Sequence, residues 1–429
     1  MGSPDATSTN GLPKRIEVIR GTLACTREER GRIDIIPDGL MTVDERGTIV
    51  SVEAAPTACE VPETRPGAVW LPGFVDTHVH YPQTRVMGRA TGPLLDWLQQ
   101  TIFPEESRFV DEAYAQAVAD EFCGALARFG TTTAAVYGSS HAGATDVLFD
   151  TFARRGLRGL LGMTLMDRDA PEALLMSADL ALAAAEELVQ KWHGHDAGRL
   201  RYCVTPRFAL SCTTPLMKGA AALAQKYDLW VQTHVAENTA EMAAVAAQFP
   251  DAHDYLAVYA DHGLIGAKTV LAHCIWFDDD IWNRVATAGC SVSHCPDSNF
   301  FLGSGQMVLD APTQRGIHVG LGTDVGAGRS FSLRRMAASA YDTALITGSS
   351  ASAEALIWLA TAGGAAALGL GDTIGALRPG YEADVIAIDL PPHSPRDGEG
   401  LWETLAFQQD AGPVTACYVR GQKVSAAVR

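Results

Sequence analysis

Residues 72–83, PGFVDTHVHYPQ, place two histidines one residue apart at the end of an apolar run. Apolar and polar residues alternate along this stretch up to His78 and His80. Residues two apart in a strand face the same side, so both imidazoles leave one surface together, with Gln83 just beyond them. The stretch therefore predicts a strand that presents two imidazoles at its end.

The same pattern recurs along the chain. Short β-branched runs end in polar residues and are followed by Ala-rich stretches with helical spacing. The runs are VWLPGFVDTHVH, TTTAAVYG, RGLLGMTLMD, LRYCVTPRF, LWVQTHVAE, TVLAHCIW, CSVSHCP and HVGLGTDV. One helix candidate, DEAYAQAVADEFCGALARFG, places Gly130 where it would end the helix. Eight strands alternating with helices predict an α/β fold, a (β/α)8 TIM-type barrel, whose typical length is about 250 residues.

Both chain ends have a different pattern, with short strands interrupted by Gly and Pro. These strands are RIEVIRGTLAC, GTIVSVEAA, YEADVIAIDL and VTACYVRGQKV. The simplest assembly is one small β domain formed by both ends of the chain. We therefore divide the sequence into residues 1–71, the N-terminal part of the β domain, residues 72–375, the barrel, and residues 376–429, the C-terminal part of the β domain.

Composition limits the kind of protein. Of 429 residues, 47% are hydrophobic and 19% charged, which is enough to bury a large core. The net charge of −17 argues against a nucleic-acid partner, which needs clustered Lys and Arg. The nine cysteines are scattered, and neither a secretory signal nor an apolar run of about 18 residues is present. These features predict a cytoplasmic protein with free thiols and no membrane partner.

Polar residues stand where predicted barrel strands end. They are His78 and His80 on the first strand, Arg207 on the fourth, His234 and Glu237 on the fifth, His273 on the sixth and Asp324 on the eighth. In such a barrel the C-terminal strand ends face one mouth, where active sites are built. Imidazole and carboxylate donors suit zinc or another borderline divalent ion. A single strand-end histidine is usually packed or hydrogen-bonded, but four histidines and an aspartate in register predict a metal site. For His294, on the seventh strand, we expect a supporting contact rather than ligation.

Several motifs carry a family resemblance. PGFVDTHVH, THVAEN, LAHC, SHCPDSN and GLGTD resemble the metal-dependent amidohydrolase superfamily, in the branch that deaminates or dechlorinates ring carbons. TAGGAAALGLGDTIGALRPGYEADVIAID resembles the tail that leads this superfamily back into its β domain, so the resemblance spans nearly the whole chain. Four narrower motifs, HVHYPQ, LLDWLQQTIFPEE, PRFALSC and QTHVAEN, resemble the guanine deaminase family within the branch.

The resemblance implies hydrolytic deamination of guanine to xanthine and ammonia, and a homodimer. LRYCVTPRF has no lysine where binuclear relatives place a carboxylated bridge, so one Zn2+ per subunit is expected, with Fe2+ as the alternative. The implied metal ligands are His78, His80, His234, His273 and Asp324. A bound metal lowers the pKa of water to roughly 7, which gives a nucleophile at neutral pH.

The implied catalytic residues are Glu237, Asp324 and His273. Asp324 takes the water proton and later delivers it to the leaving ammonia, and Glu237 protonates ring nitrogen N3. His273 either ligates the metal or hydrogen-bonds the attacking water, and the resemblance favours its place among the ligands.

Gln83 and Arg207 offer donors for the purine edge and its O6, and Phe208 can form a wall beside the ring. His80, His234, Glu237 and Asp324 complete the predicted substrate-binding set. For Arg207 the alternative is a structural ion pair, and for Phe208 it is core packing.

Two other functions stay open. One is a sibling hydrolase that acts on another aminated ring, such as a pterin, a triazine or an 8-oxopurine, because a few pocket groups decide the substrate. The other is a non-catalytic scaffold that has lost the metal. The complete ligand set, with Glu237 and Asp324 in place, argues against the scaffold.

Overall fold

Eight parallel strands form a nearly closed barrel, and both chain ends contribute to a separate sheet, as the sequence predicts. The computed structural model of the protein describes residues 15–27, 29–57, 64–408 and 412–424. Residues 1–14 and 425–429, which belong to the predicted β-domain segments, lie outside the described ranges. Among the described helices, none combines the length and the apolar composition that a membrane span needs.

In the described part of the chain the strands are β1 (Val18–Thr26), β2 (Ile33–Val43), β3 (Ile49–Ala54), β4 (Thr64–Pro72), β5 (Phe74–His80), β6 (Thr131–Tyr137), β7 (Arg158–Gly162), β8 (Thr164–Leu165), β9 (Leu200–Pro206), β10 (Trp230–Val235), β11 (Thr269–His273), β12 (Ser291–His294), β13 (Val319–Leu321), β14 (Val385–Asp389), β15 (Val414–Val419) and β16 (Gln422–Lys423). The helices are α1 (Leu94–Trp97), α2 (Phe103–Glu106), α3 (Glu112–Phe129), α4 (Ala142–Arg155), α5 (Ala178–Trp192), α6 (His195–Gly198), α7 (Thr214–Tyr227), α8 (Thr239–Gln248), α9 (Tyr255–Asp261), α10 (Asp279–Ala288), α11 (Pro296–Phe301), α12 (Asp310–Gln314), α13 (Leu333–Thr347), α14 (Ala353–Trp358), α15 (Gly364–Ala367) and α16 (Gly398–Phe407).

The barrel runs in the order β5-β6-β7-β9-β10-β11-β12-β13, and all these neighbours are parallel. Backbone contacts close it between the first and last strands, where Asp324 N–H donates to the His78 carbonyl (2.8 Å) and His80 N–H to that of Val325 (3.1 Å). The run RGLLGMTLMD forms two strands, β7 and β8, rather than one, and β8 pairs beside β9 outside the barrel order. The predicted number of eight barrel strands is thus confirmed.

The separate sheet has the order β16-β15-β14-β4-β1-β2-β3 and joins the two chain ends directly. Antiparallel β4 and β14 place Leu71 opposite Ile386. Trp70, Val385 and Tyr418 pack in the apolar core of this sheet and are fully buried. Since an apolar side chain of this kind contributes about 1.5–3 kcal/mol on full burial, the shared core holds the two ends together.

The run VWLPGFVDTHVH is divided between the two sheets. Pro72 ends β4 in the small sheet, and Phe74 begins β5 in the barrel. Gly73 makes the transition, and a Cβ atom there would lie 2.1 Å from the Thr132 hydroxyl oxygen, so only glycine fits. The sequence predicted a single strand here, because an alternating pattern does not reveal a break between two consecutive buried strands. As domain limits, residues 71/72 and 375/376 stay a prediction.

Helices cover the outside of the barrel. In α3, the Asp111 carboxylate accepts the Ala113 N–H (2.9 Å) and caps the first turn, while Gly130, with φ 81°, ends the helix as predicted. Buried Val118 and Phe122 lie four residues apart and turn one face of α3 towards the strands. The barrel is therefore closed on its sides by apolar packing, and polar side chains collect at the strand ends.

Candidate active site

Six of the predicted site residues lie at the mouth formed by the C-terminal strand ends. They are His78 and His80 on β5, Arg207 directly after β9, His234 on β10, His273 at the end of β11 and Asp324 three residues after β13. Glu237 follows β10 by two residues. All seven side chains are buried. The barrel thus brings together residues up to 246 positions apart, from His78 to Asp324.

The imidazole nitrogens and the carboxylate oxygen of this group lie closer to one another than ordinary side-chain packing requires. His80 Nε2 lies 3.2 Å from His78 Nε2, 3.1 Å from His234 Nε2 and 3.2 Å from Asp324 Oδ1. One imidazole nitrogen offers a single proton or a single lone pair, so it can satisfy only one of these three neighbours. Donors that share a tetrahedral ion at about 2.0–2.2 Å lie about 3.3–3.6 Å apart. The crowding therefore fits a shared cation.

Hydrogen bonds on the far side of two rings fix which nitrogen faces the centre. His234 Nδ1 donates to the Arg207 carbonyl (2.7 Å), and His273 Nδ1 donates to Asn299 Oδ1 (3.0 Å). Both Nε2 atoms are then left with lone pairs directed at the site. His273 Nε2 is buried and has no hydrogen-bond partner among the described residues, which leaves it available to a cation.

The local backbone also departs from ordinary geometry at the ligands. His273 has φ 72° and Asp324 has φ 47°, in the left-handed region that non-glycine residues seldom occupy. Their side chains are aimed by these turns rather than by regular strand geometry. One ligand atom from each of His78, His234, His273 and Asp324 lies within 4.8 Å of all the others. His80 lies 3.1–3.2 Å from three of these residues, His78, His234 and Asp324. We call the four residues together with His80 the ligand cluster.

Two histidines of the ligand cluster, His78 and His234, have lowered pKa values, which favour the neutral form that binds a metal. Burial lowers the pKa of His78 to about 4, and burial with the neighbouring His78, His80 and His273 lowers that of His234 well below its usual value. Burial acts to raise the pKa of Asp324, but contacts with His78 and His80 outweigh it and hold the carboxylate in its charged form. Imidazole nitrogens and one carboxylate form a donor set that suits a divalent metal ion.

Glu237 differs from Asp324 although both are buried carboxyl groups of the same mouth. Burial, and then the charges of Asp324 and Glu241, raise the pKa of Glu237 well above its usual value. Its Oε2 lies 3.5 Å from His273 Nε2, and Ser304 Oγ donates to Oε1 (3.4 Å). A carboxyl group with a lowered pKa beside one with a raised pKa is an arrangement that suits a base and an acid.

The predicted substrate-binding residues line one pocket with the ligand cluster. Its walls are His80, Gln83, Leu94, Trp97, Leu98, Arg207, Phe208, His234, Glu237, Leu302, Asp324 and Ala327. Phe208 and Trp97 are buried and contribute flat aromatic surface to a narrow space. Gln83 and Arg207 place amide and guanidinium donors in the same pocket. Planar walls with donors on one side suit a flat heterocycle.

Glu106 is a polar residue beside this pocket that the sequence analysis did not single out. Its carboxylate accepts from Arg207 Nη1 (2.6 Å) and from Gln83 Nε2 (3.0 Å). The ion pair proposed as the alternative for Arg207 is therefore present, and Arg207 lines the pocket as well. Glu106 ends the motif LLDWLQQTIFPEE, so an acidic residue in a motif that resembles the family was the available signal.

Asn299 was missed in the same way, although it closes the motif SHCPDSN. It holds His273 by the hydrogen bond described above. The supporting contact expected from His294 is wrong, because neither ring nitrogen of this buried histidine has a hydrogen-bond partner in the described ranges. Since α11 follows β12 directly, Asn299 on that helix reaches the neighbouring strand end, and His294 does not hydrogen-bond to it.

Comparison with known proteins agrees with this geometry. The model of the Amidohydrolase family matches residues 69–424. The chain is 38% identical to guanine deaminase of Escherichia coli over 380 residues, 87% of this chain and 86% of that protein. It is 41% identical to a probable guanine deaminase of Deinococcus radiodurans over 386 residues, again 87% and 86% of the two chains.

Two solved structures share the fold over most of both chains. Guanine deaminase from C. acetobutylicum, with guanine bound in its active site, superposes with a TM-score of 0.88 at 29% identity and covers 95% of this chain and 99% of that one. An adenosine deaminase from Xanthomonas campestris with bound zinc has a TM-score of 0.84 at 25% identity, over 95% and 92%. The chain belongs to the amidohydrolase family and, within it, to the guanine deaminases.

Proposed function

We propose that this protein hydrolyses guanine to xanthine and ammonia. The observation that carries the proposal is a single pocket lined by His80, His234 and Asp324 of the ligand cluster, by Glu237 and by the donors of Gln83 and Arg207. Water adds to C2 of the ring, the bond from C2 to the exocyclic nitrogen breaks, and ammonia leaves. The relatives that share the fold and the motifs, one of them with guanine bound, support this assignment.

The residues that would hold the metal are His78, His80, His234, His273 and Asp324. We infer one zinc ion per subunit, with Fe2+ as the alternative, because the donors are nitrogen and oxygen atoms and the described site contains no thiolate. A bound divalent ion supplies the Lewis acidity that lets water act as a nucleophile near neutral pH. The zinc in the structurally similar adenosine deaminase is consistent with this choice.

The proton transfers follow from the two carboxyl groups. Asp324 Oδ atoms are charged and adjoin the imidazoles, so Asp324 is placed to accept a proton from the attacking water and to pass it to the departing amine. The raised pKa of Glu237 favours its protonated form, from which it is placed to deliver a proton to N3 of the ring. Protonation there prevents negative charge from building on the ring while the C2 carbon changes from trigonal to tetrahedral.

Recognition of guanine rests on its carbonyl at position six. A guanidinium has donors only, so Arg207 can pair with that carbonyl but not with the amine that adenine carries there. Arg207 is buried, and a buried donor left unpaired costs about 1–3 kcal/mol, more when charged. Adenine should therefore be rejected, and Phe208 should hold the accepted ring flat against the pocket wall.

A panel of free bases tests the proposal. Metal-replete protein is incubated with guanine, adenine, cytosine, a pterin, a triazine and an 8-oxopurine, and ammonia release and the ultraviolet spectrum of the product are recorded. Guanine should give ammonia and xanthine in equal amounts, and adenine and cytosine should not react. Greater efficiency on the pterin, the triazine or the 8-oxopurine would favour a hydrolase that acts on that ring. A protein that contains no metal after purification would favour the non-catalytic scaffold.

We also infer a homodimer, which rests on the resemblance, and a cytoplasmic location, which rests on the scattered cysteines. Light scattering coupled to size-exclusion chromatography measures the first, and fractionation of cells that produce the protein measures the second. A monomer at micromolar concentration, or recovery in a secreted fraction, would contradict them.

A further inference from the structure

Three groups form a chain of contacts behind the donor side of the pocket. The Glu106 carboxylate uses one oxygen for Arg207 Nη1 and the other for Gln83 Nε2, at 2.6 and 3.0 Å. Gln83 is fixed at its other end, because its Oε1 accepts the Gly326 N–H (3.0 Å). Gln83 and Arg207 are thus both fixed by hydrogen bonds to Glu106.

The three side chains are almost completely removed from solvent. Gln83, Glu106 and Arg207 are 2%, 5% and 4% exposed. Arg207 has further contacts with the Met166 sulfur (3.9 Å) and with the Phe103 ring, whose centroid is 5.4 Å from Cζ. Neither contact carries charge, so Glu106 is the anion in direct contact with this guanidinium. Charges in such surroundings are weakly screened and act strongly on a neighbouring ligand.

The remaining donors of Arg207 are left for a ligand. Within the described part of the chain, the guanidinium makes no hydrogen bond other than those to Glu106 and Met166, and Arg207 lines the pocket. One N–H of the Gln83 amide is likewise not used by Glu106. The pocket therefore offers several donors, while the positive charge behind them is balanced by a carboxylate.

We infer that Glu106 is a positioning residue that sets both the direction of the donor pair and the net charge of the pocket. This inference rests on the proposed function. A neutral ring carbonyl accepts from the donors without needing a net positive charge. An anionic ring gains little from a cation that is already paired, so the pocket should bind anionic purines weakly.

The consequence for the reaction concerns the product. Deamination replaces an amine by a second ring carbonyl, and an N–H between two carbonyls is more acidic than the N–H groups of the substrate. Part of the product is therefore anionic in mildly alkaline solution. Charge balance by Glu106 favours the neutral substrate over this anion and limits inhibition by product.

The test compares metal-replete wild type with Glu106→Gln and uses urate, a purine that is a monoanion at neutral pH, as the probe. The variant keeps the size of the side chain but removes its charge and turns one acceptor into a donor, which faces either Arg207 or Gln83. We expect KM for guanine to rise by about tenfold or more, with a smaller change in kcat. Urate should bind about tenfold more tightly than to wild type, because the cation is now unpaired.

Glu105→Gln is the matched control. Glu105 lies in the same helix α2 and is buried, but it pairs with Arg108 (3.1 Å) and Tyr114 rather than with the pocket residues. Its variant should keep wild-type KM and urate affinity. The double variant Glu106→Gln/Arg207→Gln removes both charges and should lose the gain in urate affinity, which a purely structural role of Glu106 does not predict.

Urate binding is measured by calorimetry without turnover, so it tests Glu106 separately from the proposed function. A wild type that releases no ammonia from guanine would overturn the proposed function. A folded Glu106→Gln protein with full metal that binds urate no more tightly than wild type would overturn the role of Glu106, whatever its KM. If the Glu106→Gln protein loses its metal or its fold, the Arg207→Gln variant provides the test. It leaves the Glu106 carboxylate without its cation, so urate should bind about tenfold more weakly than to wild type. Unchanged urate binding would overturn the inference.

Discussion

Two clusters of charged and polar side chains, one buried and one partly buried, lie at opposite ends of the barrel strands, and they differ in how their groups are paired. The ligand cluster lies at the C-terminal ends. The second, which we call the joint cluster, consists of Arg158, Glu382, Asp384 and Arg420. Arg158 opens β7 at its N-terminal end, and Asp384 directly precedes β14 of the small sheet. The joint cluster thus connects the barrel to the sheet formed by the chain ends.

Every charge of the joint cluster meets an opposite charge. Arg158 Nε donates to Asp384 (2.8 Å) and Arg420 Nε to Glu382 (2.7 Å), and a further bond links Arg158 to Glu382. Burial acts to lower the pKa of Arg158, but Asp384 and Glu382 more than compensate and raise it. Two cations and two carboxylates satisfy one another without any added ligand.

The imidazole nitrogens of the ligand cluster, by contrast, do not satisfy one another by hydrogen bonding. Nitrogen faces nitrogen at 3.1–3.2 Å, and His273 Nε2 has no hydrogen-bond partner among the described residues. Buried polar groups are normally paired, so an arrangement of this kind indicates a missing partner of opposite charge. Charges that pair with opposite charges, as in the joint cluster, therefore indicate a structural role. Several lone-pair donors crowded together, as in the ligand cluster, indicate a site for a cation. In barrels of this type the N-terminal end serves stability and the C-terminal end serves chemistry.

The largest effect is expected from His78→Ala or His80→Ala. Either change removes an imidazole from a cluster that needs a nearly complete donor set. Metal content and guanine turnover should fall together, by more than the about 10–100-fold that loss of a ligand's hydrogen-bond partner costs. Elemental analysis and steady-state kinetics measure both. Normal zinc and full activity in either variant would show that the ligand cluster is placed wrongly.

Glu237→Gln should separate proton transfer from metal binding. The amide keeps the size of the side chain but cannot donate the proton of a carboxylic acid. Turnover of guanine should fall by about 10²–10⁴-fold, the usual contribution of a general acid or base, while metal content stays near that of wild type. Loss of metal instead would make Glu237 a ligand and contradict its role as an acid.

Arg158→Met should have the opposite result, a loss of stability without a loss of chemistry. The change removes the guanidinium that pairs with the buried Asp384, and breaking a buried pair costs about 3–5 kcal/mol. The free energy of unfolding, measured with urea, should fall by about that amount, with kcat/KM and metal content unchanged. Arg154→Met is the control, because Arg154 forms an exposed pair with Asp150 that contributes at most about 1 kcal/mol. Equal free energies of unfolding for the two variants would contradict the structural role of the joint cluster.

The smallest expected effect is a pH dependence that comes from Glu382. Burial acts to raise its pKa, but Arg420 and Arg158 hold it below its usual value. A carboxyl group with a lowered pKa in the folded state stabilises the protein above its unfolded pKa of about 4.3, and this contribution is lost as the pH falls through the folded pKa. Glu382→Gln should therefore lose less stability than wild type when the urea midpoint is followed from neutral pH to about pH 3, below the unfolded pKa. Parallel curves would mean that Glu382 does not titrate differently in the two states.

Much of the site could be predicted because the strand pattern is local. Alternation within PGFVDTHVH places His78 and His80 on one face, and parallel strand ends must meet at one mouth. His234, His273 and Asp324 follow from the same rule on other strands. The exception is the exact geometry of His273 and Asp324, whose left-handed backbone depends on contacts made after the strands end.

Groups that act through long-range pairs could not be predicted. Glu106 stands 101 residues before Arg207, and Arg158 stands 226 residues before Asp384. Neither spacing has a periodicity that a sequence pattern could express. The division of VWLPGFVDTHVH between two sheets belongs to the same class, because it depends on the close approach of Thr132 to Gly73.

By itself the sequence determined the barrel, the sheet shared by the chain ends and the set of donors at the mouth. These follow from hydrophobic periodicity, since burial of apolar faces fixes which side of each strand is inside. The tertiary structure alone decided how charges are balanced, with Glu106 paired to Arg207 and Gln83 behind the pocket and Asp384 paired to Arg158 at the other end. The physical reason is that a buried charge requires a partner within a few ångströms, and only the packing of distant segments brings that partner there.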